Sequence, residues 1–390
     1  MGTTYDANNL IRDVAPDFET LVANVPTFLK LFGASFSTSE DFLTGKPLVT
    51  NTKHEWINDK LTQYSSAIAS FATDGDGVTF DVATTQGFVV DSILRFKSAL
   101  GATITEQVKV TSVDANGTSI TVARDYAGST GATLVVGDVA VLNSTPQIQN
   151  SSVGEAIFHQ GVAAYNYTEI FRDAAELSDT AIATSSYDGS TLMSKQVYAA
   201  LVRLLRKIEY ATLHGLPLIG TATAGQSMGG LLSYLTGNNA AVGGAITQNA
   251  INDVIESIYS KGGLLAQPVL LMSQVQARKV SALNTDGSNP TVFKDNQDRS
   301  IGNFTNSFVG DFSMVGGAVL AEVFVSQNMR DDQIAVIDMS NIDLAVMRGL
   351  TSTDATTPGD DGKKESLVTE LTLEVRNATE AHGLITGLTL

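Results

Sequence analysis

Cysteine is absent from the 390 residues, so neither disulfides nor thiolate chemistry is open to this chain. Histidine is scarce as well: His54, His159, His214 and His382 lie far apart, which argues against a zinc centre. Charged residues make up 17% of the sequence, below the ~25% usual for soluble domains. Gly, Ser, Thr, Asn and Ala fill the gap. That composition fits a surface buried by neutral contacts with other subunits, and equally a β-rich protein with many turns. No apolar run approaches the ~20 residues of a membrane span. The N-terminus MGTTYDANNL has no signal-peptide core, and Asp6 stands where a myristoylation signal needs Ser or Thr. A cytoplasmic product is expected. The net charge of −17, from 24 basic and 41 acidic residues, excludes gripping phosphates as the main task, because that affinity comes from Lys and Arg displacing counterions.

What is present is best seen from Tyr165 to Gly215. An extended piece with paired tyrosines, Tyr165 and Tyr167 on one strand face, leads through a polar turn into one long helix. Met193, Val197, Leu201, Leu204, Ile208 and Ala211 fall at the spacing of a single helical face, with Lys195, Arg203, Arg206 and Lys207 on the other side. Ser190, after Asp188-Gly189, is the expected N-cap and Gly215 the expected residue just past the helix. At about 1.5 Å per residue the helix spans roughly 35 Å.

Residues 1–45 have too little apolar surface to fold alone and read as an arm lying along a neighbour; Pro26 interrupts a short helix there. Residues 46–61 read as extended and contain Trp56, the only tryptophan. From Phe71 to Thr145 short alternating runs are separated by turn signals. Asn116-Gly117 between two such runs predicts a hairpin. Five or six strands in that span predict a small barrel or sandwich. Beyond Gly215 come an amphipathic helix at 246–263 stopped by two glycines, a buried strand at 268–273 and a helix at 274–283. Strands then recur around 318–326, 334–339 and 344–350. Residues 351–365 read as a polar loop. Residues 366–388 read as one long strand and a partner, packing beside the long helix.

Three stretches tempt a chemical reading. Gly225-Gln226-Ser227-Met228-Gly229 matches the G-x-S-x-G elbow of hydrolases, and acids and His382 follow in the required order. However, a small-residue loop, TATAG, precedes it where a buried strand is needed. Residues 220–227 nearly spell a phosphate loop, but Gln226 replaces the lysine that would bind the phosphates. Ile334–Asp338 then reads as a core strand rather than a magnesium-holding one. Asp74-Gly75-Asp76-Gly77 lacks the third ligand and closing Glu of a calcium loop, since Val78 follows. Asp331-Asp332 and Asp360-Asp361 read as solvated. No catalytic, cofactor-binding or metal-binding residue is assigned, and no cofactor is expected.

Asn166-Tyr167-Thr168-Glu169-Ile170-Phe171, then Leu177-Ser178-Asp179-Thr180, and later Met228-Gly229-Gly230-Leu231-Leu232, resemble a subgroup of tailed-bacteriophage major capsid proteins. These have the Hong Kong 97-like fold with a β-rich insert. The likeness runs from about residue 20 to the C-terminus. It implies an α+β fold comprising an N-terminal arm (1–45), an extended loop and its connections (46–70 and 149–187) and an inserted small β-barrel or β-sandwich (71–148). A peripheral domain with the spine helix (188–222 and 351–390) and an axial domain (223–350) complete it. It implies a non-enzymatic structural protein that self-assembles into hexamers and pentamers of an icosahedral head, located in the virion and assembled in the host cytoplasm. Double-stranded DNA would be enclosed without specific binding and no membrane involved; portal, scaffold and decoration proteins are further candidate partners. Two alternatives stay open: an encapsulin-like shell of the same fold, and a serine hydrolase using Ser227.

Overall fold

The computed structural model describes residues 29, 47–58, 64–71, 78–83, 85, 87–99, 104–114, 118–147, 149, 161–183, 192–263, 265–283, 307–309 and 320–390. The chain forms two compact units, one of residues 1–58 with 162–390 and one of residues 59–161. Strand β1 (Lys53–Asn58) precedes the smaller unit in the chain.

The smaller unit is a closed barrel of six strands: β2 (Ser65–Phe71), β3 (Thr79–Val82), β4 (Ile93–Lys97), β5 (Gln107–Val113), β6 (Ser119–Ala123) and β7 (Val139–Ser144). They run in the order β2-β3-β6-β5-β4-β7, and β7 pairs back onto β2. Every second residue points inward, and Ile68, Phe80, Val82, Leu94, Phe96, Val108, Val110, Ile120, Val122 and Ala140 fill the interior. The barrel therefore starts earlier than the expected residue 71. Its first strand lies in the stretch read from sequence as a connection, and without β2 the barrel would have two open edges. The strands on either side of Asn116-Gly117 pair as a hairpin, β5 with β6; that dipeptide itself and residues 74–77 lie outside the described residues.

In the larger unit β8 (Val162–Tyr167) pairs antiparallel with β1 as a two-stranded ribbon. Then follow β9 (Glu169–Ser178), the short helix α1 (Asp179–Ala183) and the long helix α2 (Leu192–His214). The expected N-cap Ser190 lies outside the described residues. Helix α3 (Leu231–Tyr234), β10 (Asn239–Ala241), α4 (Gln248–Ser260), β11 (Pro268–Met272) and α5 (Gln274–Leu283) come next. The chain continues through β12 (Ser307–Val309), β13 (Leu320–Val325), β14 (Ile334–Asp338), β15 (Ile342–Asp354), β16 (Gly362–Val375) and β17 (Gly383–Thr386).

Two sheets organise this unit. One is six-stranded, β10-β17-β14-β11-β13-β12; the other is three-stranded, β15-β16-β9. The central strands β11 and β14 send alternate residues into two different cores. Val269, Leu271, Ala335 and Ile337 join the core around α2, whereas Leu270, Met272, Ile334 and Val336 join the one around α4. Burial on both faces is why these strands read as unbroken apolar runs. Thr247 caps α4 through its hydroxyl on the Ala250 N–H, and Gly262, at φ 82, ends it.

Helix α2 lies on β9 and β16. Leu204, Leu205, Ile208 and Leu213 are buried, while Met193, Val197, Leu201 and Ala211 are partly buried against the same core. Leu29 of the N-terminal segment is fully buried in that core; the rest of 1–45 lies outside the described residues. Flanking that packed face, Arg203 and Lys207 converge on Asp173 of β9, each at 3.2 Å.

Two expectations for the C-terminal region are corrected. Residues 351–354 and 362–365, read as a polar loop, are ladder residues, the first of β15 against β16 and the second of β16 against β9, because neighbouring backbone rather than apolar side chains holds them. The last strand, β17, does not partner β16. It inserts into the six-stranded sheet beside β10 and β14, which buries Leu384 and Ile385 on opposite faces.

Candidate functional site

Strand β16 alternates cleanly in sequence, and such alternation signals one buried and one solvated face. Leu367, Leu371, Leu373 and Val375 do face the core around α2. The polar face is buried too: Glu370, Thr372 and Glu374 are at most 6% exposed. It lies against the ribbon, and each polar group has a partner. Glu370 accepts from Thr168 Oγ1 at 2.9 Å and from Arg348 Nε at 2.7 Å. Thr372 Oγ1 donates to the Tyr167 carbonyl at 2.8 Å. Glu374 lies 2.9 Å from His54 Nε2 and accepts from Arg376 Nε at 2.6 Å. Burial pushes the Glu374 carboxyl up, but the His54 and Arg376 hydrogen bonds outweigh it and hold it below the usual carboxylate range.

Two of the resemblance motifs, Asn166–Phe171 and Met228–Leu232, apart in sequence, meet at this seam. Asn166 is fully buried on β8. Its Nδ2 donates to the carbonyls of Gly229 and Leu373, at 2.9 and 2.8 Å. Its Oδ1 accepts from the N–H groups of Gly229 and Tyr167, at 2.7 and 2.8 Å. Glu169 accepts from the Met228 N–H at 3.0 Å, and its burial raises the carboxyl pKa. Gln226 Nε2 donates to the Thr52 carbonyl at 2.9 Å. Trp56 packs 6.3 Å from Tyr234, whose hydroxyl donates to the Tyr165 carbonyl at 3.0 Å.

Gly215 does follow helix α2, but its role is not a left-handed turn. A Cβ there would lie 2.4 Å from the Met228 carbonyl oxygen and 2.6 Å from that of Ala211. Only glycine lets the helix end touch the 228–230 segment, where the Gly230 N–H donates to the Gly215 carbonyl at 2.8 Å.

This packing gives the three tempting stretches structural roles. Ser227 Oγ donates to the Leu216 carbonyl at 2.8 Å. The residues before it turn at Thr221–Ala224, and Leu218 pairs with Ser227; this is a hairpin rather than a strand-to-helix elbow. His382 is fully buried, with Nδ1 accepting from the Asp338 N–H at 3.1 Å and Nε2 donating to the Arg376 carbonyl at 3.2 Å. Burial lowers its pKa to about 4. Asp338, ending the apolar strand β14, accepts from the N–H groups of Ala266, Gln267 and Ser340. Among the described residues no group of three or more His, Asp or Glu is placed to hold a metal ion. No described helix is long and apolar enough to cross a membrane.

The other face of the ribbon is open. Lys53, Glu55 and Ile57 on β1 stand opposite Tyr167, Tyr165 and Ala163 on β8. Ile57 and Tyr165 are 73% and 47% exposed, and Lys53 Nζ sits 4.3 Å over the Tyr165 ring. In the isolated chain these two tyrosines are therefore not core residues. Sequence reasoning missed Glu209, which lies on the buried side of α2 and accepts from Ser326 Oγ and Asn328 Nδ2 at 3.1 and 2.9 Å. It also missed His54 and Asn166 as seam residues. The only signal was a polar residue at a position that strand alternation turns inward.

The family model described as SU10 major capsid protein matches residues 2–389. Among solved structures, the chain is similar to the capsid of a native GTA particle, at 12% identity over 92% of both chains with a TM-score of 0.47. It is similar to a structure from Mycobacterium phage Adephagia, at 12% identity over 92% of both chains, TM-score 0.42. It is also similar to the SrpI encapsulin of Synechococcus elongatus PCC 7942, at 9% identity over 62% of this chain and 80% of that one, TM-score 0.42. No curated protein sequence matches.

Proposed function

This chain belongs to the SU10 major capsid protein family, and from that premise we propose how it builds its shell. It is a capsid-forming protein of a phage virion with the Hong Kong 97-like fold. The long helix α2 lies across a sheet of long strands, a mixed-sheet body adjoins it, and in the chain a barrel is inserted between the two strands of the ribbon.

Subunits associate into hexamers and pentamers of an icosahedral head around double-stranded DNA. The observation that carries this reading is the two-sidedness of the ribbon. An isolated two-stranded hairpin is marginal in water, yet here one face is bound to the body through Asn166, His54 and Trp56. The other face, with Ile57, Tyr165 and Lys53, is left open. A limb held stiff at its base and uncovered outside is what neighbouring copies would cover. Repetition over many copies then turns modest contacts into a stable shell.

The division into arm (1–45), extended loop, inserted module, peripheral and axial domains is the working description. The insert in it is the compact unit of residues 59–161, whose barrel strands run from Ser65 to Ser144. Assembly would occur in the host cytoplasm, with portal, scaffold and decoration proteins as further partners. A non-enzymatic role is supported by the engagement of Ser227 and His382 with backbone groups. The net charge of −17 fits a container that does not grip its genome. Electron microscopy of the expressed protein tests the reading: closed particles are expected. Their nuclease-protected DNA in infected cells separates a virion head from a cargo compartment. Protein that stays monomeric under all assembly conditions overturns it.

A further inference from the structure

Between His214 and Asp253 the sequence runs for thirty-eight residues without Asp, Glu, Lys, Arg or His. At the chain's charged fraction of 17%, about six charges would be expected there. From Met228 onward burial accounts for much of the gap, since Met228, Leu231, Leu235, Ile246 and Ile251 are core residues. Burial does not account for residues 216–225. Leu216, Leu218 and Ile219 are 72%, 53% and 60% exposed, and a charge there would cost nothing in the isolated subunit.

The segment is also held in one shape. Leu218 and Ser227 exchange two backbone hydrogen bonds of 3.1 Å, and the Thr221 N–H bonds the Ala224 carbonyl at 2.9 Å across the turn. Thr221 Oγ1 accepts from the Ala224 N–H at 3.0 Å. The base is tied down by Ser227 Oγ on Leu216 and by Gln226 on Thr52. A rigid, uncharged, apolar projection loses little entropy on docking.

We infer that the hairpin of residues 216–227 is a docking element, and that its occupant is a second copy of this chain. Charge selects that occupant. Two copies that each carry −17 repel one another, so the patch through which they touch must be neutral and gain its affinity from apolar burial. Such a patch would be kept free of either sign, as this one is. A basic partner, by contrast, would have left acidic residues on the hairpin. This rests on the capsid reading above.

The absence of native cysteine gives a clean test. Ile219→Cys protein is assembled into particles, and its labelling by a maleimide is compared with that of the same protein dissociated to subunits. At least a tenfold fall in labelling rate on assembly is expected. In parallel, a Leu216→Asp/Ile219→Asp double variant should keep the subunit's circular dichroism and melting temperature. The protein concentration it needs for assembly should rise at least tenfold. Equal labelling in particles and subunits, or normal assembly of the double variant, overturns the proposal while leaving the capsid reading intact. Labelling that is blocked only in complete virions would assign the hairpin to another virion component and also overturn it. If the wild type forms no assembled species, both readings fall together.

Discussion

The side-chain amide of Asn166 pairs with the backbone of Gly229 through two antiparallel hydrogen bonds, donating to its carbonyl at 2.9 Å and accepting from its N–H at 2.7 Å. A single side chain thus takes the place of a strand neighbour and locks the ribbon to the turn beneath helix α2. The same residue satisfies the Leu373 carbonyl of β16 at 2.8 Å.

Replacing Asn166 with Ala should therefore destabilise the unassembled subunit by about 2–4 kcal/mol, because buried groups on Gly229 and Leu373 lose their partners. Asn166→Asp should be worse, since it sets a carboxylate against two carbonyl oxygens. Urea unfolding of the subunit gives the answer. A midpoint for Asn166→Ala indistinguishable from wild type would show that water replaces the amide at no cost.

The inward face of α2 is open to a paired test. Leu204 is fully buried, and Leu204→Asp places an unpaired charge in the core at a cost of several kcal/mol. Insoluble protein is expected. Arg203 is half exposed, with an ion pair to Asp173, and Arg203→Ala should cost about 1 kcal/mol or less. Equal solubility and equal stability of the two variants would contradict the assigned face.

Acid should weaken the subunit in two steps. His382 has its pKa depressed from 6.5 to about 4 by burial. The unfolded chain thus binds a proton that the folded chain refuses, and stability present above pH 6.5 is lost between there and about pH 4. The loss is bounded at about 3 kcal/mol. Glu374 is held below its ordinary carboxylate range, so its contribution is lost lower, as pH falls through that depressed pKa. Glu169, raised by burial, opposes both trends in the carboxylate range. Urea midpoints measured against pH should fall from pH 6.5 downward in wild type. His382→Asn, whose amide oxygen can still accept from the Asp338 N–H, should flatten the upper step. A profile equally steep in that variant would assign the step elsewhere.

Excision of the barrel can be placed by register. Asn58 and Val162 are paired at the end of the ribbon, so a two-residue Asn-Gly turn should close β1 onto β8 in place of residues 59–161. The shortened subunit should keep its circular dichroism and melt within a few degrees of wild type, while residues 59–161 alone should fold around their own core. Cutting at 73–145 instead strands β2 without its barrel partners β3 and β7, and aggregation is expected. Loss of folding in the 59–161 deletion would mean that the larger unit depends on the barrel.

Local periodicity made much of the architecture legible. The stripe from Met193 to Ala211 marked helix α2, and the alternating runs between residues 79 and 144 marked five barrel strands. The unbroken apolar runs of β11 and β14 marked buried strands. The motifs around Asn166 and Met228 pointed to the family without showing why those residues are used. Strand β2, SSAIASF, alternates as faithfully as its partners but lies before the composition change, so it was read as a connection. The polar face of β16 was hidden because LVTELTLEV is what a half-solvated strand would also look like.

The sequence by itself determined most of the helices and strands and which face of each is apolar, because both depend on side-chain spacing along a few neighbouring residues. The polar ends of β15 and β16 became strand only by pairing with neighbouring backbone. Tertiary structure alone decided where the polar face of each element goes. Glu374, Glu370, Asn166 and His382 are buried because partners hundreds of residues away, or on another strand, satisfy their hydrogen bonds. It also decided that β17 leaves β16 for the other sheet, since both of its faces find apolar cover only there. Spacing records what a segment must hide; the folded neighbours determine what hides it.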